Sequence, residues 1–276
     1  MAGMLYLVPT PIGNLGDISQ RCRDTLEQAD FIAAEDTRVS LKLLNHMGIK
    51  KPLVSYYEHN RAESGQKILE RLLAGEICAL VSDAGSPAIS DPGEDLVALC
   101  AANGVPVSAI PGPCAVITAL SMSGLPTGRF TFEGFLSTNK KGRQEHLQSL
   151  LTEQRTMVFY EAPHKLLNTL QDMLSAFGGD RRISLCRELT KLHEEVIRTT
   201  LRGALDYYKD LAPRGEYVLV LEGTAPPPVT ELSLEDALAL VEEKLTQGLS
   251  RKDAVKQVAK ETGFAKNALY DAAIKG

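Results

Sequence analysis

Through residues 5–110, short unbroken apolar runs alternate with stretches whose apolar positions recur every three or four residues. The runs are Leu5-Tyr6-Leu7-Val8, Phe31-Ile32-Ala33-Ala34, Leu53-Val54-Ser55-Tyr56, Ile77-Cys78-Ala79-Leu80-Val81 and Val107-Ser108-Ala109-Ile110. Their length and lack of alternation predict strands covered on both faces. The stretches 18–28, 41–47, 64–73 and 94–100 predict helices, with Asp17 or Ser19 as cap of the first and Gly48 and Gly75 ending the next two. Regular βα alternation of this kind predicts a parallel sheet with helices on both faces.

The second half changes rhythm. Residues 130–135, 156–160, 183–187, 195–200 and 217–222 predict strands, and 115–122, 140–151 and 164–177 predict helices, the last ended by Gly178-Gly179. Fewer helices separate these strands, so a second, mixed α/β domain is expected. Ala225-Pro226-Pro227-Pro228 cannot continue a helix or a central strand and predicts a stiff linker. Beyond it, residues 233–247, 250–262 and 266–274 predict three helices, with Gly263-Phe264 turning the chain between the last two. Helix, Gly-containing turn and helix is the pattern of a helix-turn-helix-like module. The expected organisation is therefore α/β: domains at 1–113 and 114–224 with a cleft between them, and a helical module at 230–276.

The candidate chemistry sits where the strands end. Ser82-Asp83-Ala84-Gly85-Ser86-Pro87-Ala88-Ile89-Ser90-Asp91-Pro92-Gly93 follows the strand at Ile77 and precedes a helix. Ligands bind outside the carboxyl ends of strands in open α/β sheets, and Gly85, Ser86 and Ala88 leave the main chain open to one. Pro9-Thr10-Pro11-Ile12-Gly13-Asn14 follows the first strand, but it is neither a Walker loop nor a G-x-G-x-x-G fingerprint. Nucleotide hydrolysis and NAD chemistry both lose support. Glu35-Asp36-Thr37-Arg38 offers two acids and a cation at the second strand's end, fit for a base, an orienter and a phosphate contact. Glu161-Ala162-Pro163-His164 and Arg187-Glu188-Leu189-Thr190-Lys191 repeat the arrangement in the second half. Five such loops predict one shared cleft.

Composition narrows the partners. Of 276 residues, 44% are hydrophobic and 24% charged, as in globular proteins, and the net charge of -5 disfavours bulk nucleic-acid binding while leaving room for local basic patches. Lys140, Lys141 and Arg143 form one such run, and a mild basic excess over 251–275 forms another. The five cysteines contain no C-x-x-C pair, and no cluster has metal-ligand spacing, so no metal is expected. Cys78 and Cys186 lie in apolar runs and are expected to be buried, whereas Cys114 lies in a turn. No apolar stretch reaches the ~20 residues of a membrane span and no signal-peptide pattern opens the chain, so a cytoplasmic protein with no membrane partner is expected.

Together the motifs resemble the tetrapyrrole methylase superfamily, and within it the bacterial small-subunit rRNA ribose 2′-O-methyltransferases. The resemblance is carried by Leu7-Val8-Pro9-Thr10-Pro11-Ile12-Gly13-Asn14-Leu15, Ala33-Ala34-Glu35-Asp36-Thr37-Arg38, the segment 81–93, Pro111-Gly112-Pro113-Cys114-Ala115, Phe159-Tyr160-Glu161, Arg187-Glu188-Leu189-Thr190-Lys191 and Lys266-Asn267-Ala268-Leu269-Tyr270. Ser137 stands where that pattern has proline after Gly-Phe-Leu. The resemblance implies a homodimer that binds S-adenosylmethionine in the cleft and methylates a cytidine ribose in the decoding region of small-subunit rRNA. It implies cofactor contacts from Pro11, Ile12, Ala84, Gly85, Ser86, Ile89, Cys114, Ala115, Glu161 and Leu189. Asp36 or Glu188 is then the candidate proton acceptor. Lys191 and Arg38 hold the RNA backbone, and Lys140, Lys141, Arg143 and Arg187 are further substrate contacts. Two rivals remain at this point. One is a methylase of a small tetrapyrrole or modified amino acid, which has no need of the terminal helices. The other is a non-catalytic RNA-binding protein, which would not bind the cofactor.

Overall fold

The computed structural model describes residues 3–225 and 233–275. The chain divides into two compact units, Met1–Thr224 and Ala225–Gly276. The expected linker at Pro226-Pro227-Pro228 lies outside the described residues.

The first unit holds two sheets. The first contains β1 (Met4–Leu7), β2 (Phe31–Ala34), β3 (Leu53–Ser55), β4 (Ile77–Val81) and β5 (Val107–Ala109), in the order β3-β2-β4-β1-β5. Every neighbouring pair is parallel. Helices α1 (Gln20–Gln28) and α2 (Thr37–Met47) cover one face, where Cys22, Leu26, Leu44 and Met47 pack on Ile32, Ala34 and Val81. Helices α3 (Arg61–Leu73) and α4 (Glu94–Ala102) cover the other, where Ile68, Leu72, Leu96 and Cys100 meet Leu5, Phe31 and Leu80. Burial on both faces explains the unbroken apolar runs. Helix α2 starts four residues before its apolar repeat, because the Asp36 side chain accepts the Arg38 N–H and caps it.

The second sheet is built from β6 (Phe130–Phe135), β7 (Thr156–Glu161), β8 (Arg182–Arg187), β9 (Glu195–Thr200) and β10 (Tyr217–Leu221), in the order β6-β7-β10-β8-β9. Only β6 and β7 are parallel; the remaining pairs run antiparallel. Helices α6 (Lys140–Ser149), α7 (Leu166–Phe177) and α8 (Leu201–Tyr207) pack on Met157, Phe159, Leu185 and Leu219. Phe159 is fully buried there, and its truncation to alanine would cost about 3–5 kcal/mol. The opposite face, Val158, Cys186, Val218 and Val220, receives Val116, Ala119 and Leu120 of α5 (Ala115–Met122). Sequence periodicity missed α8, which follows β9 without a turn and is capped by Thr200 accepting the Gly203 N–H.

The second unit is a three-helix cluster of α9 (Leu234–Thr246), α10 (Arg251–Thr262) and α11 (Lys266–Lys275). Ala237, Val241, Ala254, Val255, Val258 and Leu269 are its buried centre. Ser233 and Asp236 form a capping box at α9, and Ser250 caps α10. Gly263 takes the left-handed conformation that ends α10, at a φ of 78°. Among the described residues no helix is long and apolar enough to cross a membrane.

Candidate active site

Strands β1 and β4 are neighbours, yet their following helices leave for opposite faces of the sheet. Their loops therefore part at a topological switch point, which opens a crevice. A two-way main-chain bridge closes its base: the Thr10 N–H donates to the Gly85 carbonyl at 2.9 Å and the Gly85 N–H to the Thr10 carbonyl at 3.0 Å. The Thr10 hydroxyl donates to the Ser82 carbonyl (3.1 Å), and the Ser86 hydroxyl donates to the Pro113 carbonyl (3.1 Å).

The loop after β4 is wound tightly. Gly85 has a φ of 84°, and an added Cβ would meet Ile12 Cγ2 at 3.2 Å. Ala88 and Ser90 are also left-handed although neither is glycine, with φ of 66° and 67°. Left-handed non-glycine residues cluster where a structure holds a loop for function. The loop after β8 shows the same trait, at Glu188 (φ 50°) and Thr190 (φ 65°). The two halves touch through the loop after β1. Ile12 packs among the hydrophobic residues of the second sheet, and a Cβ on Gly13 would fall 2.5 Å from Lys191 Cγ.

Between the halves lies a cavity of about 620 Å³. Nine of the ten residues expected at a cofactor line it: Ile12, Ala84, Gly85, Ser86, Ile89, Cys114, Ala115, Glu161 and Leu189. Pro11 does not. Glu161 is buried and held, accepting from the Ala162 N–H at 2.8 Å and from the Thr169 hydroxyl. Cys114 is half-buried, at the residue preceding α5. Cys78 and Cys186 are buried, as expected of thiols in apolar runs.

The expected catalytic and substrate residues are distributed differently. Lys191 lines the cavity, but its ammonium donates to Glu188 at 2.9 Å and Glu216 at 2.8 Å. Burial pulls that ammonium down, and the two carboxylates outweigh it and hold it above its usual value. Glu188 is outside the lining, and the Glu216 N–H and Lys191 hold it below the usual carboxylate range. Asp36 also lies outside it. Its bond from the Arg38 guanidinium pushes it down to about 2, so the pair Asp36–Arg38 braces a helix start. Arg143 is bound to Asp172 at 2.7 Å with both side chains mostly covered, and Arg187 faces Glu195 at 3.5 Å. Lys140 and Lys141 are exposed at the start of α6.

Three further acids of the sequence motifs face the cavity instead: Glu35, one of the two adjacent acids fit for a base, with Asp83 and Asp91, which have no role assigned there. All three are pushed above the usual carboxylate range, with burial the largest cause. Asp91 reaches about 6, with Asp83 adding to the rise and the Ser82 hydroxyl opposing it. Among the described residues no cluster of His, Cys, Asp and Glu could hold a metal ion.

Residues 4–205 match the family model for tetrapyrrole (corrin/porphyrin) methylases. The chain belongs to the tetrapyrrole methylases. Residues 230–276 of this methylase match a second model, the RsmI C-terminal HTH domain. Ribosomal RNA small subunit methyltransferase I of Synechocystis sp. is 48% identical to it over 276 residues, 99% of this chain and 98% of the relative. Among solved structures, diphthine synthase superposes with a TM-score of 0.60 at 15% identity, covering 81% of this methylase and 92% of that chain. Uroporphyrin-III C-methyl transferase from Thermus thermophilus, complexed with S-adenyl homocysteine, superposes with a TM-score of 0.53 at 18% identity, over 80% and 97%. The methylase fold and a methyl-transfer activity therefore apply to this chain, which sets aside the expectation of a non-catalytic binder.

Proposed function

We propose that this methylase transfers the methyl group of S-adenosylmethionine to a ribose 2′-hydroxyl of small-subunit rRNA, on a cytidine of the decoding region. One observation carries the reading: a cavity at the switch point lined by the residues whose motifs match the family, in a chain whose likeness to rRNA small subunit methyltransferases I runs from end to end. The cavity suits the cofactor in kind as well as volume. It offers main chain at Ala84 and Ser86 for polar edges beside a Gly85 whose own N–H and C=O are bonded to Thr10, apolar cover from Ile12, Ile89 and Leu189, and acids that favour a cationic group. When bound, the cofactor supplies an activated methyl group for in-line displacement by oxygen.

The chain's own residues supply orientation and a proton acceptor. Ile12 and the Ala84, Gly85 and Ser86 turn hold the cofactor from one side, Cys114 and Ala115 from a second, and Glu161 and Leu189 from the second sheet. Pro11 acts by stiffening the loop that carries Ile12. A ribose hydroxyl loses its proton as the new bond forms, and a carboxylate titrating near neutrality serves best. Asp91, beside Glu35 and Asp83, takes this part more readily than Asp36 or Glu188, which are engaged in ion pairs. Arg38, Lys140, Lys141 and Arg187 meet the RNA backbone, and Arg143 steadies α6 beneath Lys140 and Lys141. We also assign domain limits at 113/114 and 224/230, a homodimer as working unit and the cytoplasm as compartment.

Ribose-methylation mapping tests the reading. Small-subunit rRNA from cells lacking the protein should miss one 2′-O-methyl group, and purified protein with S-adenosylmethionine should restore it on isolated subunits. An unchanged map would end it.

A further inference from the structure

Strand β6 carries an irregularity with a consequence for substrate. Phe132 pairs with Val158 and Gly134 with Phe159, so Glu133 is an extra residue in a bulge. Gly134 adopts a φ of 64° to allow it. In plain alternation Phe132 and Phe135 would point to opposite faces. The extra residue puts Phe135 opposite Tyr160, on the same face as Phe132. Both rings meet Tyr160, at 5.0 Å and 5.4 Å between centroids. Bulges next to active sites re-aim a side chain in this way. Phe135 lines the cavity, yet 56% of it remains exposed. Leu136, the next residue, turns into the opposite core and is buried.

We infer that Phe135 is the platform on which the acceptor nucleobase stacks when its ribose is presented to the cavity. The inference rests on the rRNA reading above. A cavity floor built from main chain and small residues is matched to the cofactor, whereas an open aromatic ring at the rim offers a π-face that every nucleobase can use. The same connection runs on to Lys140 and Lys141 at the first turn of α6, and the Lys141 side chain is 85% exposed. Lys141 keeps only a loose, exposed pairing with Glu145 at 3.8 Å, and a ring followed by exposed cations is the pattern that holds a base and its flanking phosphates in single-stranded RNA. Tyr160, braced by Phe132, backs Phe135 and limits its tilt.

The test uses the full-length protein, S-adenosylmethionine and small ribosomal subunits from cells lacking it. Phe135→Leu keeps apolar volume without a π-face, and Phe135→Tyr keeps the ring. Phe135→Leu should raise the KM for subunits about tenfold or more with a smaller change in kcat, and Phe135→Tyr should stay within about threefold of wild type. Calorimetric affinity for S-adenosylmethionine and the sedimentation coefficient should stay unchanged in both. A wild-type KM in Phe135→Leu would overturn the inference. A loss of cofactor affinity would assign the ring to the cofactor's adenine, and altered sedimentation would assign it to a second copy of the chain; either also overturns it. Failure of the wild-type protein to methylate subunits would instead refute the rRNA reading itself.

Discussion

The two sheets meet one cavity with different materials. The parallel sheet presents main chain and small residues, Ala84, Gly85 and Ser86, on a loop wound through left-handed conformations. The mixed sheet presents large side chains, Phe135, Tyr160, Leu189 and Tyr217. A wall of main chain reads a ligand by letting it approach, so added bulk harms it. A wall of side chains reads by contact, so lost bulk harms it. The parallel wall has one exception in its acids, Glu35, Asp83 and Asp91, and the largest predicted effect falls there.

Asp91→Asn should lower the single-turnover methylation rate by about 10²–10⁴-fold, the usual range for loss of a general base. Asp36→Asn and Glu188→Gln should each lower it by less than about tenfold, because both carboxylates lie outside the cavity lining and are engaged in ion pairs. The wild-type rate should climb with pH and level off above about 6, where Asp91 is ionised. If the three variants lose rate equally, the parallel wall has no special acid.

The next effect separates the two materials. Gly85→Ala forces a side chain into a φ of 84° and towards Ile12. Strain of about 1–3 kcal/mol predicts a calorimetric affinity for S-adenosylmethionine weaker by roughly 5- to 150-fold. Leu189→Ala, from a residue 6% exposed on the other wall, should instead destabilise folding by about 2–5 kcal/mol, read from denaturant unfolding. If Gly85→Ala binds normally, the close turn at Gly85 is not what makes room for the cofactor.

The two walls were also unequally legible. The parallel sheet was readable strand by strand, because burial on both faces leaves unbroken apolar runs. Its cavity residues were readable too, since Gly85 and its small neighbours sit at a strand end in one continuous segment. The mixed wall resisted. Phe135 faces the cavity only because Glu133 adds a residue to β6, and no periodicity announces a bulge. The acids show the same limit: Asp36 and Asp91 are alike on paper, and Arg38 beside one and burial around the other separate them.

That separation predicts opposite pH dependences of stability, the smallest effect expected here. Asp36 is lowered to about 2 from 3.8, so its contribution is complete above the unfolded value and disappears as pH falls towards 2. Asp91 is raised from 3.8 to about 6, so between these values the folded chain binds more protons than the unfolded one. Stability then declines as pH rises through that window, and the deficit persists above it. Asp91→Asn removes an ionisable group from a half-buried place, so its Tm should exceed that of wild type near pH 8, with the gap closing towards pH 4. Asparagine also caps helices well, so Asp36→Asn should lose only the ion pair with Arg38, with a Tm slightly below wild type near neutrality. Thermal melts of both variants across pH decide it. A Tm deficit for Asp91→Asn near pH 8 would make Asp91 a brace like Asp36, and the proton acceptor would have to be sought at Glu35 or Asp83.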